Sequence, residues 1–304
     1  MLLKSTHSLN QPLVLITIQE SAMKVRKAVI TAAAPQQNRL PLQQLVDRNG
    51  QDKTSLQLII EETLAAGVEE ICLIIKPGDE EAYRQAAGTH VGSLSLVQQP
   101  TPLGYAHAIA QAKSFVGDEP FLHLVGDHLY LSDTEKPCAQ QLIEVATEFE
   151  CSVSAVQSTR ENKLPYFGIV SGTHVPRHDD LYEVERVSEK PTPTFAEQEL
   201  VTAGLRSGHY LGFFGMHVLT PDVMPVIDGL LSETTETKPT LSDALDILRT
   251  RQRYLAYQVR GDRYNLGIQY GLLIAQMAIG LSGKDRDQIL TEMVELLANR
   301  TEGR

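Results

Sequence analysis

The sequence has few cysteines, no long apolar run and an excess of negative charge. Its three cysteines, Cys72, Cys138 and Cys151, are scattered without the spacing of zinc ligands, so we expect buried free thiols in a reducing compartment. No apolar run approaches the roughly 18 residues that a membrane-spanning helix needs, so we expect a cytoplasmic protein without a membrane partner. The net charge of -11 argues against nucleic-acid binding, which requires a broad basic face, but it leaves room for a local basic pocket.

The first residues do not have the pattern of a secretion signal. The apolar run at residues 13–18 is too short and lacks a small-residue cleavage site. Met23, followed by Lys24, resembles an alternative start, and we therefore expect residues 1–23 to form an N-terminal extension. The chain of 304 residues is long enough for one large α/β domain with additions or for two smaller domains.

Short apolar runs alternate with helical patterns in the first half of the chain. Runs at residues 27–30, 71–75, 94–97 and 121–125 are typical of strands buried on both faces of a parallel sheet. This alternation predicts an α/β fold built from right-handed βαβ units. After residue 153, strands joined by loops predict a mixed sheet and a small antiparallel insert over one side of a cleft. Two helices are expected from residue 269 onward.

The apolar run at residues 121–125 ends at Gly126 and Asp127. Because parallel sheets bind ligands at the carboxyl ends of their strands, Asp127 lies where a magnesium ion and a nucleotide phosphate can be held. The alternative is that the Gly126-Asp127 pair only marks a turn, as such pairs often do. Asp127 is therefore the first candidate for a metal ligand.

A series of short segments recurs in one order along the chain. The segments are residues 27–33, 61–71, 102–108, 117–121, 126–127, 166–170, 189–191, 215–221, 241–244 and 263–267. Together this series resembles the bacterial UTP–glucose-1-phosphate uridylyltransferases, within the sugar-1-phosphate nucleotidyltransferase superfamily. The resemblance covers about residues 24–282. It implies a Rossmann-like, mostly parallel central sheet flanked by helices, with the nucleotidyltransferase-like catalytic domain at residues 24–267 and a C-terminal helical segment at residues 268–304.

The resemblance also implies a reaction. A sugar 1-phosphate, expected to be glucose 1-phosphate, attacks the α-phosphorus of a nucleoside triphosphate, expected to be UTP, and pyrophosphate leaves. Two polyanions must meet, so Mg²⁺ and cationic side chains have to neutralise and align them. The expected partners are these two small molecules, with no nucleic acid and no membrane.

The resemblance assigns roles to side chains around the sugar and the metal. Asp127 matches the first metal carboxylate, Lys190 matches the lysine that meets the sugar phosphate, and Glu189 matches a residue that holds sugar hydroxyls. Gly168 and Gly215 match glycines that let the backbone approach the sugar. The alternatives are a solvated strand-end charge for Lys190 and ordinary strand glycines at the other two positions.

A second group of residues matches the nucleotide side of the family's site. Its members are Ala33, Ala34, Gln98, Gln99, Gly104 and His107. A glutamine amide pairs with uracil because it offers both a donor and an acceptor. Each glutamine can equally be a polar strand end, and a lone histidine such as His107 is more often structural than a ligand.

Two parts of the site depart from the family pattern. The first loop, residues 34–41, has lost its glycines, and the family's lysine further on is replaced by a segment without a cation at residues 42–45. Arg39 and Lys53, or Arg48, are therefore the candidates to hold the triphosphate. Asn265 replaces the second metal aspartate; its amide oxygen can bind magnesium more weakly, or it can cap the next helix.

These departures leave two functions open. The first is a divergent nucleotidyltransferase, and the second is a protein of the same fold that binds a sugar nucleotide or sugar phosphate with little turnover. The apolar stripes of the closing helices raise a third question, whether the chain forms a homo-oligomer. Packing of those stripes on their own domain is the interpretation that we favour.

Overall fold

The computed structural model describes residues 23–233 and 238–301. The expected N-terminal extension lies outside the described residues apart from Met23. In chain order the strands are β1 (Lys27–Thr31), β2 (Gln44–Val46), β3 (Asp52–Thr54), β4 (Glu70–Ile75), β5 (Leu94–Gln98), β6 (Phe121–Val125), β7 (His128–Ser132), β8 (Ser152–Arg160), β9 (Gly168–His174), β10 (Leu181–Glu189), β11 (His209–Leu219), β12 (Tyr254–Gln258) and β13 (Gly261–Asn265).

Helices occupy half of the connections between these strands and follow the last strand. In chain order they are α1 (Ser55–Ala65), α2 (Glu80–Ala87), α3 (Tyr105–Ala110), α4 (Lys113–Val116), α5 (Cys138–Phe149), α6 (Pro193–Glu199), α7 (Val223–Ser232), α8 (Leu241–Leu248), α9 (Gly271–Leu281) and α10 (Arg286–Thr301). The two closing helices predicted from residue 269 onward are α9 and α10. Helix α2 was not expected, because it has only two turns and carries few apolar residues.

The central sheet has nine strands in the order β5-β4-β1-β6-β11-β8-β12-β10-β9. The pairings of β1 with β4 and β6, of β4 with β5 and of β8 with β12 are parallel. Strands β10 and β11 run antiparallel to their neighbours, and β11 also pairs with β9. The α/β class predicted from the sequence is confirmed, and the sheet is mixed in the half where fewer helices were expected.

The apolar strands are buried on both faces, and this builds a core on each side of the sheet. In β1, Ala28 and Ile30 belong to one core while Val29 belongs to the other. In β4, Leu73 and Ile74 divide in the same way. All five side chains are fully buried. Because complete burial of one aliphatic side chain contributes about 1.5–3 kcal/mol, these strands fix the sheet edge from which the site is built.

Helix α1 begins at a reciprocal cap between Thr54 and Gln57. The Thr54 hydroxyl accepts a hydrogen bond from the Gln57 amide at 3.1 Å, and the Gln57 side chain accepts one from the Thr54 amide at 2.8 Å. This reciprocal pair satisfies N–H groups that the first turn leaves open. Thr54 also ends the β2–β3 hairpin, which was not predicted from the sequence.

The three cysteines are buried and free, as expected. Burial raises the pKa of Cys72 to about 12 and that of Cys151 to about 11, so both stay thiols at neutral pH. No helix within residues 23–233 and 238–301 is long and apolar enough to span a membrane.

Candidate functional site

A cavity of about 470 Å³ opens beside the last residues of β1 and β6, and we call it the sheet-edge cavity. The turn after β6, the end of β10 and the segment before α8 form its other walls. The structure brings eight of the predicted site residues to its wall, namely Ala33, Ala34, Gln99, Gly104, Asp127, Glu189, Lys190 and Asn265. These residues come from distant parts of the chain, and only the folded sheet places them around one space.

Asp127 lies in the tight turn between β6 and β7. Its carboxylate is buried, and the Nδ1 group of His128 donates to its Oδ1 at 2.8 Å. Burial opposes ionisation, but the pKa of Asp127 is held below its ordinary value by His128, by its own amide and by the charge of Lys190. The side chain is therefore an anion at neutral pH, which is the form that binds a metal.

Glu189 ends β10, Lys190 follows it, and both line the sheet-edge cavity. The hydroxyl of Ser242 donates to Oε2 of Glu189 at 2.6 Å, which fixes that carboxylate from behind. Lys190 Nζ lies 3.7 Å from Oε1 of Glu189, and its side chain is 56% exposed. Lys190 has a positive φ of 44°, which costs a non-glycine residue about 1 kcal/mol or more. With this exposure the ammonium of Lys190 is accessible to a ligand. The alternative was a solvated charge at a strand end, and that strand end belongs to the wall of the sheet-edge cavity.

Gly168 supports Glu189 without lining the cavity. It pairs with Glu189 across β9 and β10. A Cβ atom at this position would lie 2.6 Å from the ring of Phe213 and 2.6 Å from the Ser242 hydroxyl. Only glycine leaves room for these two side chains, so Gly168 sets the position of the Ser242 hydroxyl that holds Glu189.

Gly215 also lies outside the wall of the sheet-edge cavity. It is within the irregular stretch of β11 between Phe213 and His217. Its carbonyl accepts a hydrogen bond from the Tyr130 hydroxyl at 2.8 Å, which ties β11 to β7 behind His128. The fold therefore does not bring the Gly215 backbone to the wall of the cavity, where a ligand would contact it.

Gln99 lines the sheet-edge cavity, whereas Gln98 does not. The Gln99 amide nitrogen donates to the Gly104 carbonyl at 3.2 Å and lies 2.9 Å from Nδ1 of His107. Burial lowers the pKa of His107, which keeps the ring neutral and able to accept at Nδ1. Gln98 instead points outward and donates to Glu80, so its predicted contact with the nucleotide is wrong.

His107 orients Gln99 without lining the cavity itself. Because the Gly104 carbonyl and His107 take the amide nitrogen, Gln99 can offer a ligand only its carbonyl oxygen. Gly104 begins α3 with a φ of 112°, and a Cβ there would lie 2.8 Å from the Pro239 carbonyl. Both the positive φ and the close approach require glycine at this position.

The two cations expected to replace the missing loop lysine do not line the sheet-edge cavity. Lys53 lies in another cleft, with Nζ 3.0 Å from Asp47 and 2.7 Å from Glu61. Arg39 is 66% exposed and lies 3.7 Å from Asp79. Both charges are taken by carboxylates outside the cavity, so the prediction that they hold a triphosphate there is corrected.

Asn265 ends β13 and lies opposite His128 in the β7–β13 ribbon. Its Oδ1 accepts from the Gly267 amide at 2.7 Å. Helix α9 begins only at Gly271, so Asn265 does not cap it. The amide oxygen keeps a second lone pair for a ligand.

Several residues of the cavity wall were missed from the sequence. They are Thr31, Gln37, Tyr105, His128, Tyr166, Lys238 and Thr240. Lys238 is the most consequential, because its Nζ donates to the Pro102 carbonyl at 2.6 Å and places a positive charge beside Gly104. Its position just before the segment at residues 241–244, which carries part of the family resemblance, was the signal that could have found it.

A family model described as Nucleotidyl transferase matches residues 41–265, a match that begins at the last residue of the altered first loop. A UTP–glucose-1-phosphate uridylyltransferase of Streptococcus pneumoniae serotype 4 is 27% identical over 92% of this chain and 98% of that protein. Another from Bacillus subtilis (strain 168) is 28% identical over 91% of this chain and 97% of that protein.

Solved structures share the fold. A UDP-glucose pyrophosphorylase complexed with UDP-glucose superposes with a TM-score of 0.68 and 22% identity, covering 84% of this chain and 98% of the other. A UDP-glucose pyrophosphorylase from Acinetobacter baumannii superposes with a TM-score of 0.69 and 20% identity, covering 90% of this chain and 100% of the other.

Proposed function

The chain belongs to the nucleotidyl transferase family, and we propose from this premise that it transfers a uridylyl group from UTP to glucose 1-phosphate, releasing pyrophosphate. The UTP–glucose-1-phosphate uridylyltransferases described above match this chain over nearly their whole length, which supports the choice of substrates. The observation that carries the proposal is that the buried anion Asp127 and the accessible cation Lys190 line one cavity. An in-line displacement between two phosphorylated molecules needs both charges in one place.

The cavity residues divide into a sugar end and a nucleotide end. Lys190 meets the phosphate of the sugar, and Glu189, held by Ser242, accepts hydrogen bonds from sugar hydroxyls. At the other end Gln99 offers its carbonyl oxygen to the base, which suits the N3–H donor of uracil. We assign Lys238, rather than Arg39 or Lys53, to the triphosphate, since it is the cation beside Gly104.

Mg²⁺ fits the donor set of the cavity when the substrates complete it. Asp127 and Asn265 offer one carboxylate and one amide oxygen, and no cluster of three or more His, Cys, Asp or Glu side chains within the described ranges would hold a metal alone. Magnesium commonly binds through one or two protein oxygens together with phosphates and water. When bound, it would neutralise phosphate charge at the reacting phosphorus.

We propose residues 24–267 as the catalytic domain, with residues 268–304 as an appended helical segment. All eight predicted residues that line the sheet-edge cavity lie before residue 268. Helix α9 contacts the β2–β3 hairpin, where the Gln276 side chain pairs with the Val46 backbone at 2.8 and 2.9 Å. The helical segment therefore supports the domain from outside the cavity.

The second candidate, a protein that binds the sugar nucleotide with little turnover, is favoured by one observation. No cation of the first loop, residues 34–41, reaches the sheet-edge cavity, because Arg39 points outward to Asp79. A triphosphate carries more charge than a bound nucleotide sugar, so loss of a loop cation weakens the reaction more than it weakens product binding.

Pyrophosphate release separates the two functions. The protein is incubated with Mg²⁺, glucose 1-phosphate and each nucleoside triphosphate in turn, and we expect pyrophosphate with UTP. Asp127→Asn keeps the size of the side chain but removes its charge, and we expect the rate to fall by about 100-fold or more. Asp222→Asn, an exposed carboxylate outside the cavity, is the control. Binding of UDP-glucose without pyrophosphate from any triphosphate would instead establish the binding protein.

A further inference from the structure

A second cavity of about 580 Å³ adjoins the sheet-edge cavity and shares Tyr166 and Asn265 with it. Three cations line it: Arg160 at the end of β8, Lys163 in the turn that follows, and Arg263 in β13. No aspartate or glutamate belongs to its described wall. We call this space the basic cavity. The chain carries a net charge of -11, so a concave surface lined by three cations and no carboxylate contrasts with the charge of the chain as a whole and calls for a physical reason.

None of the three cations has an ion-pair partner among the described residues. Ion pairs hold Lys53, Lys136, Arg186 and Arg249 elsewhere, whereas no carboxylate lies within 4.0 Å of the basic nitrogens of Arg160, Lys163 or Arg263. The carboxylate of Asp262, next to Arg263 in the chain, accepts instead from the Gln157 amide at 2.8 Å. The positive charge around the cavity is thus left uncompensated by the protein.

Arg263 is the best fixed of these cations. Its guanidinium carbon lies 3.7 Å from the centre of the Phe167 ring, and Nη1 donates to the carbonyls of Gly212 and Phe213. These contacts with uncharged groups orient the guanidinium without cancelling its charge. The exposed ends of Arg160 and Lys163 complete a cluster that can grip a phosphate.

Aromatic faces line the rest of the basic cavity. Tyr166, Phe167, Tyr264 and Tyr270 all contribute to its wall. Tyr270 is 68% exposed and has a positive φ of 62°, a conformation that costs a bulky residue about 1–2 kcal/mol. Exposed rings beside a phosphate-binding cluster suit a ligand that joins a planar ring to a phosphate, since stacking on tyrosine accepts any base.

We propose that the basic cavity binds a second molecule, a nucleoside phosphate, next to the sheet-edge cavity. Its phosphate lies against Arg160, Lys163 and Arg263, and its base stacks on the tyrosines. Because Tyr166 and Asn265 belong to both walls, occupancy of the basic cavity alters the fit of ligands in the sheet-edge cavity. The inference concerns a separate site, so it holds or fails independently of the proposed uridylyl transfer.

Calorimetric titration tests this site with the sheet-edge cavity weakened. In the Lys190→Ala, Lys238→Ala background, without Mg²⁺, we titrate UMP, AMP and ribose 5-phosphate. We expect one molecule of either nucleotide to bind per chain, and ribose 5-phosphate, which has no base, to bind at least tenfold more weakly. Adding Arg160→Gln and Lys163→Gln should weaken nucleotide binding by at least tenfold.

A matched control carries the same loss of charge elsewhere. Lys76→Gln with Arg251→Gln removes two exposed cations that line neither cavity, and nucleotide binding should be unchanged. Circular dichroism and thermal unfolding verify that each variant is folded, which we expect because the four substituted side chains are exposed. Absence of nucleotide binding in the background, or equal losses in the test and control pairs, would overturn the proposal.

Discussion

Individual side chains decide which charges can reach a ligand in this protein. Asp127 and Lys190 both line the sheet-edge cavity, and the pKa of Asp127 is held below its ordinary value there. Lys53 is a cation of equal charge, but Asp47 and Glu61 hold it in another cleft. Burial opposes its charge, yet those two carboxylates outweigh burial and raise the pKa of Lys53. The same residue type therefore serves structure at one position and ligand binding at another.

Lys238→Met should weaken triphosphate use while leaving the fold intact. Loss of one charged hydrogen bond of about 1.5–3 kcal/mol predicts a fall in kcat/KM for UTP of roughly 10- to 100-fold. Steady-state pyrophosphate release at varied UTP measures it, and Lys238→Arg should recover most of the rate.

Lys53→Met is the matched comparison for that substitution. It should leave the KM for UTP within about twofold of the parent value. It should lower the free energy of unfolding, because it leaves the buried carboxylate of Asp47 without its cation. If Lys53→Met raised the KM as much as Lys238→Met, our assignment of the triphosphate cation would be wrong.

The paired ends of strands and helices fix the site more firmly than its loops do. Strand β10 presents Glu189, β9 begins beside it at Gly168, and α8 supplies Ser242 from its first turn. Thr240 caps α8 by accepting from the Asp243 amide at 3.1 Å, and the same short segment carries Lys238 into the cavity. Three elements thus meet at the end of the cavity that we assign to the sugar.

Gly168→Ala should damage sugar phosphate binding specifically. The added methyl group would lie 2.6 Å from both Phe213 and Ser242, so Ser242 must move away from Glu189. We expect the KM for glucose 1-phosphate to rise by about tenfold or more, since a charged hydrogen bond of about 1.5–3 kcal/mol is disturbed. The KM for UTP, measured in the same kinetic series, should change little. Gly229→Ala, with nothing near its Cβ position, is the control.

Across the whole molecule, a row of buried polar groups crosses the sheet between the two cores. His123 and His217 face each other on β6 and β11. Their ring centres lie 5.7 Å apart. His217 Nδ1 lies 2.5 Å from the Ser154 hydroxyl, which contacts the Tyr254 hydroxyl at 2.5 Å. Burial, with a contribution from His217, lowers the pKa of His123 well below its usual value, and burial lowers the pKa of His217 to about 3. Both rings are therefore neutral in the folded protein.

Stability should fall as the pH falls from about 6.5 toward about 3. In that range the unfolded chain binds protons at both histidines while the folded chain does not, so each removes up to about 1.4 kcal/mol per pH unit. Between pH 7 and pH 5, the free energy of unfolding of His217→Gln should fall by about 2 kcal/mol less than that of the parent protein, as measured by urea unfolding. The exposed His174→Gln should behave like the parent, and a parallel loss in His217→Gln would contradict this account.

Much of the fold was readable from local pattern. Strand β4 was predicted because its apolar run is continuous, and the two closing helices were predicted from residue 269 onward. The β7–β13 ribbon was missed because its partners are far apart in the chain, and alternation of side chains along one strand does not reveal its partner. The two strands nevertheless place His128 opposite Asn265, which the site requires.

The sequence by itself determined the α/β class, the carboxylate at the end of β6 and the loss of the loop lysine. The first two follow from near neighbours in the chain, through strand burial and turn chemistry, whereas the third is seen only by comparison with the family pattern. Only the tertiary structure decided which cations remain available, because Asp47, Glu61 and Asp79 neutralise Lys53 and Arg39 by contacts outside the cavity. Coulomb interactions act through space and fall with distance, so the charge of a pocket is set by folding and not by composition.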